Sequence, residues 1–338
     1  MNPRAALFVP LLLTLLGTAA GALGAQPQDP TLNVLLIGWD GVSRHRVKEG
    51  LEKSQLPNLK KIVDKGSIVA IDILRVTSTK PGWTQILTGY EPEKTGVYAN
   101  HLYQPIPAGY TLFERLKGRF GPAIDTLVVS GKDAHLDYDP PVRLTPAEEA
   151  NYDVEKWYGS QPVEIDGNKF VDIPGKPFLH ARPSVDVWLN RFKSNSAVAD
   201  QAIELLKQHR EKPFFMFVLF ADADARGHDK GEDSKEYGDA IVSDDTETGR
   251  ILRALQNLKI DRKTVIYITS DHGFNIGMKH HSDAPYSFLA STDPAIQRRG
   301  ERADIAPTIY QKYGFLKDEF DPPLDGHSLT DPYVQSPW

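Results

Sequence analysis

Three of the most apolar runs in the sequence end in side chains that can bind a metal ion. These are Asp40 after the first run, Asp222, Asp224 and His228 after the second, and Asp271 and His272 after the third. A single Asp after a strand often makes a turn or caps a helix, and that interpretation is open for each one alone. Carboxylates crowded at one edge repel each other unless a cation lies between them. Asp and His together favour zinc or manganese over calcium, which prefers oxygen ligands.

The order of the apolar runs predicts the fold. Runs that are typical of buried strands alternate with segments of helical spacing, such as residues 56–66 and 77–89. This alternation is typical of an α/β protein, here a three-layer αβα sandwich with a central, mostly parallel sheet and helices on both faces. Sites in such folds gather outside the carboxyl ends of the strands. The Asp and His side chains follow the predicted strands at these ends.

Residues 136–193 interrupt this rhythm. The stretch is rich in Pro, Asp, Tyr and Trp, and it predicts a small inserted cap over the core. Its aromatic side chains Trp157, Tyr158 and Trp188 could stack on a base or an aromatic leaving group. A small core of their own is the favoured interpretation.

The composition excludes several classes of protein. The chain has 338 residues, of which 40% are hydrophobic and 25% charged, which is enough for one large core and gives no sign of disorder. The formal net charge of -6, without a basic run, argues against a nucleic-acid duplex or an anionic membrane surface as a partner. The absence of cysteine excludes disulfides, a thiol nucleophile and a lipidated cysteine.

The first residues have the pattern of an export signal. Arg4 precedes an apolar stretch, and small residues then allow cleavage after Ala22, Gly24 or Ala25. The pattern predicts a signal peptide over residues 1–25 and a secreted or periplasmic protein with no stable membrane insertion after cleavage. An uncleaved membrane anchor is the alternative.

Four motifs, taken in order along the chain, resemble the alkaline phosphatase superfamily. They are "DGV" at 40–42, "TKPGWTQILTG" at 79–89, "DARGHDKG" at 224–231 and "SDHGF" at 270–274. They are most similar to the type I phosphodiesterase/nucleotide pyrophosphatase branch, with echoes of the sulfatases. Each motif alone is weak, but the four occur together in order. The resemblance implies an alkaline phosphatase-like catalytic domain over residues 30–335.

The resemblance also implies two divalent metal ions about 4 Å apart, zinc in the first place and manganese as the alternative. Carried over residue by residue, the ligands of one ion would be Asp40, Thr79, Asp271 and His272. The second ion would take Asp224, His228 and a further histidine. Asp224 has the family's offset from Gly227 and His228, so Asp222 is left as a turn or supporting residue.

The third ligand of the second ion has three candidates. His281 stands four residues before Pro285 and just ahead of a predicted strand. That placement resembles the last metal histidine of the phosphoglycerate mutase members of the superfamily. The neighbouring His280 and the late His327 are the alternatives, and His281 is the predicted ligand.

Thr79 occupies the nucleophile position of the resemblance. It lies ten residues before Gly89, an offset that carries a threonine in the phosphodiesterases and a modified cysteine in the sulfatases. A metal ion that binds the hydroxyl as the alkoxide would make it a competent nucleophile. The other interpretation is a helix N-cap, and both can hold because free N–H groups at a helix N-terminus favour an anion. The adjacent Thr77 and Ser78 lack the offset.

The substrate-binding positions depart from the family pattern. Gly82 stands where the phosphodiesterases carry an asparagine that contacts a phosphoryl oxygen, and the sulfatases carry Ser and Arg at Gly82 and Trp83. Lys80, beside the nucleophile, and Gly82 itself are substrate-binding candidates, although a lysine is more often only solvated. Lys132 and His135, in a segment faintly similar to the sulfatase Gly-Lys-x-His, are further candidates, with a strand end and surface loop as the alternative.

The sequence thus predicts a secreted, metal-dependent hydrolase of small-molecule phosphate esters, similar to phosphodiesterases and nucleotide pyrophosphatases, that acts through a phosphothreonine. A sulfatase is the first alternative, disfavoured because the chain has no cysteine and has threonine at the nucleophile. A phosphomonoesterase or phosphonate hydrolase would use the same site. A phosphoethanolamine-type transferase usually carries several membrane helices, and a non-catalytic metal-binding relative is the last alternative.

Overall fold

The computed structural model describes residues 30–101, 104–132, 134–150 and 161–332. The predicted signal peptide, residues 1–25, lies outside the described residues, as do Trp157 and Tyr158. Within the described ranges, none of the helices combines the length and the apolar character needed to cross a membrane.

The strands alternate with helices, as the sequence predicts. In chain order the strands are β1 (Asn33–Trp39), β2 (Ser67–Asp72), β3 (Asp125–Ser130), β4 (Val142–Leu144), β5 (Gln161–Ile165), β6 (Asn168–Ile173), β7 (Val187–Leu189), β8 (Phe214–Phe220), β9 (Thr264–Thr269), β10 (Tyr286–Ser291) and β11 (Gly300–Glu301). The helices are α1 (Arg44–Glu52), α2 (Pro57–Lys65), α3 (Thr79–Thr88), α4 (Pro92–Thr95), α5 (Leu112–Phe120), α6 (Pro146–Glu149), α7 (Asn195–Gln208), α8 (Asp222–Lys230), α9 (Lys235–Asn257) and α10 (Ile305–Lys312).

Eight of the strands form the central sheet, in the order β11-β2-β10-β9-β1-β8-β3-β7. All neighbours in it run parallel except β10, which is antiparallel to both β9 and β2. The middle strand β1 is buried along its whole length, as expected for a strand covered on both faces. It lies between β8 and β9, so the three strands that end in Asp and His are neighbours.

Two apolar cores cover the two faces of this sheet. Successive residues of β1 alternate between them, because side chains of a strand point to opposite faces in turn: Val34 and Leu36 join one core, and Leu35 and Ile37 join the other. The first core includes side chains of α3, α5 and α10, and the second includes side chains of α1, α2, α7 and α9. The predicted fold class, a three-layer αβα sandwich with a mostly parallel sheet, is confirmed.

The predicted cap needs a new boundary. The strands β4, β6 and β5 form a separate antiparallel sheet within residues 136–193, but β7 at the end of that stretch pairs in parallel with β3 and belongs to the central sheet. Trp188 on β7 is 8% exposed, and its ring packs 5.2 Å from the ring of Tyr138 and 5.9 Å from that of Phe113. Trp188 is therefore a core residue.

Candidate active site

The site lies at the carboxyl edge of β1, β8 and β9. Asp40 directly follows β1, and Asp271 follows β9 after one intervening residue. Both side chains are fully buried. The N–H of Gly41 donates to Oδ1 of Asp271 at 3.2 Å, and the indole N–H of Trp83 on α3 donates to Oδ2 of Asp40 at 3.0 Å. These bonds orient one oxygen of each carboxylate and leave the other facing the site.

Thr79 begins helix α3, and Ser78 rather than Thr79 is the residue at the N-cap. The helix is buried along all ten residues and ends at Gly89, whose φ of 79° is the left-handed conformation that glycine adopts readily. Thr79 is only 2% exposed, and its hydroxyl Oγ1 lies 3.2 Å from Nε2 of His272. The predicted nucleophile therefore faces a predicted metal ligand.

His272 is at the centre of the site. Its Nδ1 lies 3.0 Å from the carbonyl oxygen of Gly273, and an N–H donated there leaves the Nε2 lone pair directed into the site. That Nε2 lies 3.4 Å from Oδ2 of Asp271 and 3.8 Å from Oδ1 of Asp224. Burial lowers the pKa of His272 to about 4, so the imidazole is neutral at pH 7, the form that binds metals.

Asp224 and His228 lie on helix α8, which begins two residues after β8. The separation of four residues places them on one face of that helix, with Nε2 of His228 3.5 Å from Oδ1 of Asp224. The Nδ1 of His228 lies 2.9 Å from the carbonyl oxygen of Lys279 and can donate to it, which turns Nε2 toward the site. Asp222 instead accepts a hydrogen bond from the N–H of Asn195 at 3.2 Å, a supporting role.

The three candidate histidines occupy different places. The ring of His281 stacks on that of His272 at 3.9 Å and lies 5.0 Å from that of His228. His280 is exposed, with Nδ1 3.1 Å from the Ser282 hydroxyl. His327 lies in a different cavity with Lys317, whose Nζ is 3.2 Å from its Nδ1. Burial lowers the pKa of His281 to about 4, which favours the neutral form. The geometry thus places His281 in the site.

The side chains fit divalent metal ions. The ligand atoms of Asp40, Asp271 and His272 lie within 4.8 Å of one another, and so do those of Asp224, His272 and His281. In the described part of the chain, Oδ1 of Asp224 and Oδ2 of Asp271 are buried oxygens without a hydrogen-bond partner. Such oxygens are costly unless a cation compensates them. The second group differs from the predicted one, because His272 replaces His228, which stands beside it.

Lys132, which follows β3, joins the two groups. Its Nζ lies 2.5 Å from Oδ2 of Asp224 and 3.1 Å from Oδ1 of Asp40. Burial opposes the charge on Lys132, but the two carboxylates outweigh it and hold the pKa of Lys132 above its ordinary value. Burial would raise the pKa of Asp224, yet Lys132 holds it well below the usual range. In Asp40 burial prevails and raises the pKa to about 6.

The other substrate-binding candidates lie around α3. Lys80 is buried rather than solvated, and burial together with the charge of Lys176 lowers its pKa to about 7. His135 is half-buried in a short turn, Ala134–Leu136, that packs against α3. At Gly82 a Cβ atom would lie 2.8 Å from Cβ of Asp271, so a larger side chain does not fit.

Two backbone N–H groups near the start of α3 are already hydrogen-bonded. The N–H of Lys80 donates to Oδ1 of Asn100 at 2.8 Å, and that of Gly82 to the carbonyl oxygen of Ser78 at 2.9 Å. Pro81 between them has no N–H. The first turn of the helix therefore has no free donor at these three residues.

Sequence reasoning missed three residues that build the site: Trp83, Asn100 and Arg302. Trp83 was noted only as a departure from the sulfatase pattern. Asn100 lies in a loop with no recognisable motif. Arg302 is 2% exposed and donates to the backbone oxygens of Asp271 and Val76. These three residues contact partners that are distant in the sequence, so the contacts cannot be predicted from local patterns. For Arg302, its place just before an apolar helix was the one available signal.

The family model described as type I phosphodiesterase / nucleotide pyrophosphatase matches residues 34–314. N-acetylgalactosamine-6-sulfatase from Rattus norvegicus is 26% identical over 297 residues, which are 79% of this chain and 53% of that protein. Ectonucleotide pyrophosphatase/phosphodiesterase family member 1 from Mus musculus is 28% identical over 211 residues, 60% of this chain and 19% of that protein. The chain spans about half the length of the first relative and much less of the second.

The fold has a counterpart in a crystal structure of a protein in the alkaline phosphatase superfamily from Vibrio parahaemolyticus. The TM-score is 0.54 at 15% sequence identity, and the match covers 91% of this chain and 71% of that one. The likeness extends the resemblance seen in the four motifs to the arrangement of the whole sheet.

Proposed function

Because the chain belongs to the type I phosphodiesterase/nucleotide pyrophosphatase family, we propose that it is a metal-dependent hydrolase of phosphate esters with Thr79 as its nucleophile. One observation carries this proposal. The Thr79 hydroxyl lies 3.2 Å from Nε2 of His272, a residue that belongs to both groups of candidate metal-binding side chains. A metal ion held at His272 would therefore lie close enough to Thr79 to activate its hydroxyl.

The candidate ligands can be divided between two divalent ions. The mixture of carboxylates and imidazoles favours zinc. Asp40, Asp271 and His272 with Thr79 would hold one, and Asp224 and His281 with the adjacent His228 would hold the other. When bound, such ions polarise phosphoryl oxygens and lower the pKa of coordinated hydroxyl groups. Zinc and not calcium is proposed because calcium prefers all-oxygen sites.

Thr79 attacks phosphorus in line with the leaving oxygen. The Thr79 hydroxyl gives up its proton to solvent as its oxygen bonds to phosphorus, the bond from phosphorus to the leaving oxygen breaks, and a phosphothreonine forms. With a diester, this intermediate keeps the second ester group. Nε2 of His272 lies 3.2 Å from the Thr79 hydroxyl, so one ion would bind both side chains, and the contact of Nδ1 with the Gly273 carbonyl oxygen holds the ring in that orientation. Water then attacks the same phosphorus and loses a proton, the bond from phosphorus to the Thr79 oxygen breaks, and Thr79 regains a proton as its hydroxyl, which restores the enzyme.

Lys132 supplies positive charge at the centre of the site. Its ammonium contacts one carboxylate from each group, Asp40 and Asp224, and it is 14% exposed at the side chain. A phosphoryl group bound between the groups therefore meets a fixed cation. The substrate class that fits is a small phosphodiester or a nucleotide-like phosphoanhydride, as in the family. We also propose that residues 1–25 export the chain as a signal peptide, on the pattern of Arg4 and the apolar stretch after it.

A sulfatase is the second candidate function. It is favoured by the N-acetylgalactosamine-6-sulfatase relative, which matches 79% of this chain. The absence of cysteine in the chain and the threonine at position 79 weigh against it, because that resemblance places a modified cysteine there.

The test is turnover of p-nitrophenyl phosphate, bis-p-nitrophenyl phosphate and p-nitrophenyl sulfate by the zinc-loaded protein. Thr79→Ala removes the nucleophile, and Ser78→Ala is the matched control, because the Ser78 side chain makes no capping hydrogen bond. The proposal expects turnover of a phosphate ester that falls at least about 1,000-fold in Thr79→Ala and stays near the wild-type rate in Ser78→Ala. Turnover of the sulfate alone, or full activity in Thr79→Ala, would contradict it.

A further inference from the structure

Arg302 links the nucleophile to the strand that carries the metal ligands. It follows β11, 31 positions after Asp271 along the chain. Its Nη1 donates to the carbonyl oxygen of Asp271 at 2.9 Å, and its Nη2 donates to the carbonyl oxygen of Val76 at 2.6 Å. Val76 lies three residues before Thr79, so one guanidinium holds the backbone on both sides of the contact between Thr79 and His272.

The charge of Arg302 is buried against the backbone. The residue is 2% exposed, and in the described part of the chain its guanidinium has no ion pair within 4.0 Å. Burial lowers its pKa to about 10, and the charges of Asp271, Glu91 and Glu301 oppose this. A planar guanidinium with several N–H groups can bond two carbonyl oxygens at fixed angles, which an ammonium or an apolar side chain cannot do.

The same guanidinium explains the glycine in the nucleophile helix. A Cβ atom on Gly82 would lie 3.0 Å from Nη1 of Arg302 and 2.8 Å from Cβ of Asp271. Arg302 therefore fills part of the space that a side chain at position 82 would need. The missing side chain at Gly82 and the buried Arg302 are two aspects of one packing arrangement.

We propose that Arg302 is a positioning residue, which holds the segment from Val76 to Thr79 against the end of β9 so that the Thr79 hydroxyl meets His272. It does not contact the reacting atoms, since it is buried behind the backbone that it binds. Its catalytic effect, though not its structural effect, rests on the proposed function of Thr79. A small displacement of a nucleophile lowers the rate of chemistry steeply, so the effect belongs in kcat.

The experiment compares Arg302→Met and Arg302→Lys with Arg298→Met. Arg298 is a matched control on the same segment, because its guanidinium also binds backbone oxygens, those of His327 and Ser328, together with the Asp304 carboxylate. For each protein, kcat and KM are measured on the best nitrophenyl substrate. Hydrogen–deuterium exchange is measured at the amides of Lys80 and Gly82, whose bonds to Asn100 and Ser78 report on that segment.

Arg302→Met is expected to lower kcat on the order of 100-fold with little change in KM. Exchange at Lys80 and Gly82 should rise at least about tenfold. Arg302→Lys should recover part of both, because an ammonium can reach one carbonyl oxygen, and Arg298→Met should change neither.

Wild-type kcat and exchange in Arg302→Met would overturn the proposal, and so would equal losses in Arg302→Met and Arg298→Met that follow their melting temperatures. If Arg302→Met does not fold, Arg302→Lys decides by the same two readouts. If the wild-type protein turns over none of the esters, the proposed function fails, while the exchange arm still decides the role of Arg302.

Discussion

The ammonium of Lys132 lies 2.5 Å from Oδ2 of Asp224 and connects it to Asp40, whose Oδ1 is 3.1 Å away. Each carboxylate belongs to a different group of side chains that could hold a metal ion. A single lysine thus compensates both groups from between them. It reaches this place because β3 pairs with β8, so that its carboxyl end opens onto the same edge as those of β8 and β1.

Lys132→Met should destabilise the chelator-treated protein by about 3 kcal/mol, because two buried carboxylates lose their partner. Zinc should then raise the melting temperature of the variant by more than that of the wild type, since the ions replace the missing charge. Differential scanning fluorimetry with and without zinc measures both. Lys60→Met removes an exposed ion pair with Asp64 and should cost less than about 1 kcal/mol. An unchanged zinc response in Lys132→Met would contradict the assignment.

The strand-end chemistry could be predicted from the sequence because it is local. Asp40, Asp271 and His272 follow runs of apolar residues, and a parallel sheet brings such ends to one edge. Thr79, at the start of a helix that ends at Gly89, could also be predicted from the sequence. Alternation of strands and helices gave the three layers, since each face of the sheet must be covered by helices.

The remaining features depend on contacts between distant residues. For Lys132 the sequence left two interpretations open, a substrate-binding residue or part of a surface loop after a strand. Its sequence neighbours do not reveal the distant carboxylates that it contacts. Asp224 and His228 were expected after a strand, but the helix α8 that sets their spacing begins in the motif itself. Arg302 donates to backbone oxygens, and any residue type at position 76 would offer the same carbonyl oxygen as Val76. The sequence therefore cannot reveal this contact. The edge strand β7 was too short to stand out in the insertion.

Gly82→Ala should lower activity, because its Cβ would clash with Cβ of Asp271 at 2.8 Å and push the strand end or α3 aside. A loss of kcat of roughly tenfold to 100-fold is expected, measured by steady-state kinetics on the best nitrophenyl ester. Gly118→Ala on α5 is the control, because a Cβ there meets nothing within 4 Å. Wild-type kcat in Gly82→Ala would show that the contact can relax without moving the site.

His281→Ala should weaken zinc binding, because the ring stacked on His272 supplies a ligand atom of the second group. A loss of at least about tenfold in affinity is expected from competition with a chromogenic chelator. The adjacent His280→Ala should bind zinc as the wild type does, since His280 is exposed and contacts Ser282. The reverse order of the two variants would move the ligand to His280.

Glu301 should make stability depend on pH. Burial, with the charges of Asp304, Glu91 and Asp72, raises its pKa from 4.5 to about 7 in the folded protein. The folded state therefore binds this proton more tightly than the unfolded state, and stability falls as pH rises from about 4.5 to about 7.

Glu301→Gln removes that titration and should be more stable than the wild type by roughly 1 kcal/mol at pH 8, with little difference at pH 4.5. Urea unfolding at the two pH values measures the change. Glu211→Gln, at a side chain that is 84% exposed, should be neutral at both. A wild type that is as stable as Glu301→Gln at pH 8 would rule out the raised pKa.

The most direct measurement asks whether the substrate's phosphorus becomes bonded to Thr79. The zinc-loaded protein is mixed with the nitrophenyl phosphate ester that it turns over fastest, quenched in acid within milliseconds and digested with trypsin. Mass spectrometry then examines the peptide from Val76 to Lys94, which also contains Thr77 and Ser78. The account predicts a phosphoryl group on Thr79, absent from Thr79→Ala. An unmodified peptide from an enzyme caught in turnover, or a phosphoryl group on Thr77 or Ser78, would contradict it.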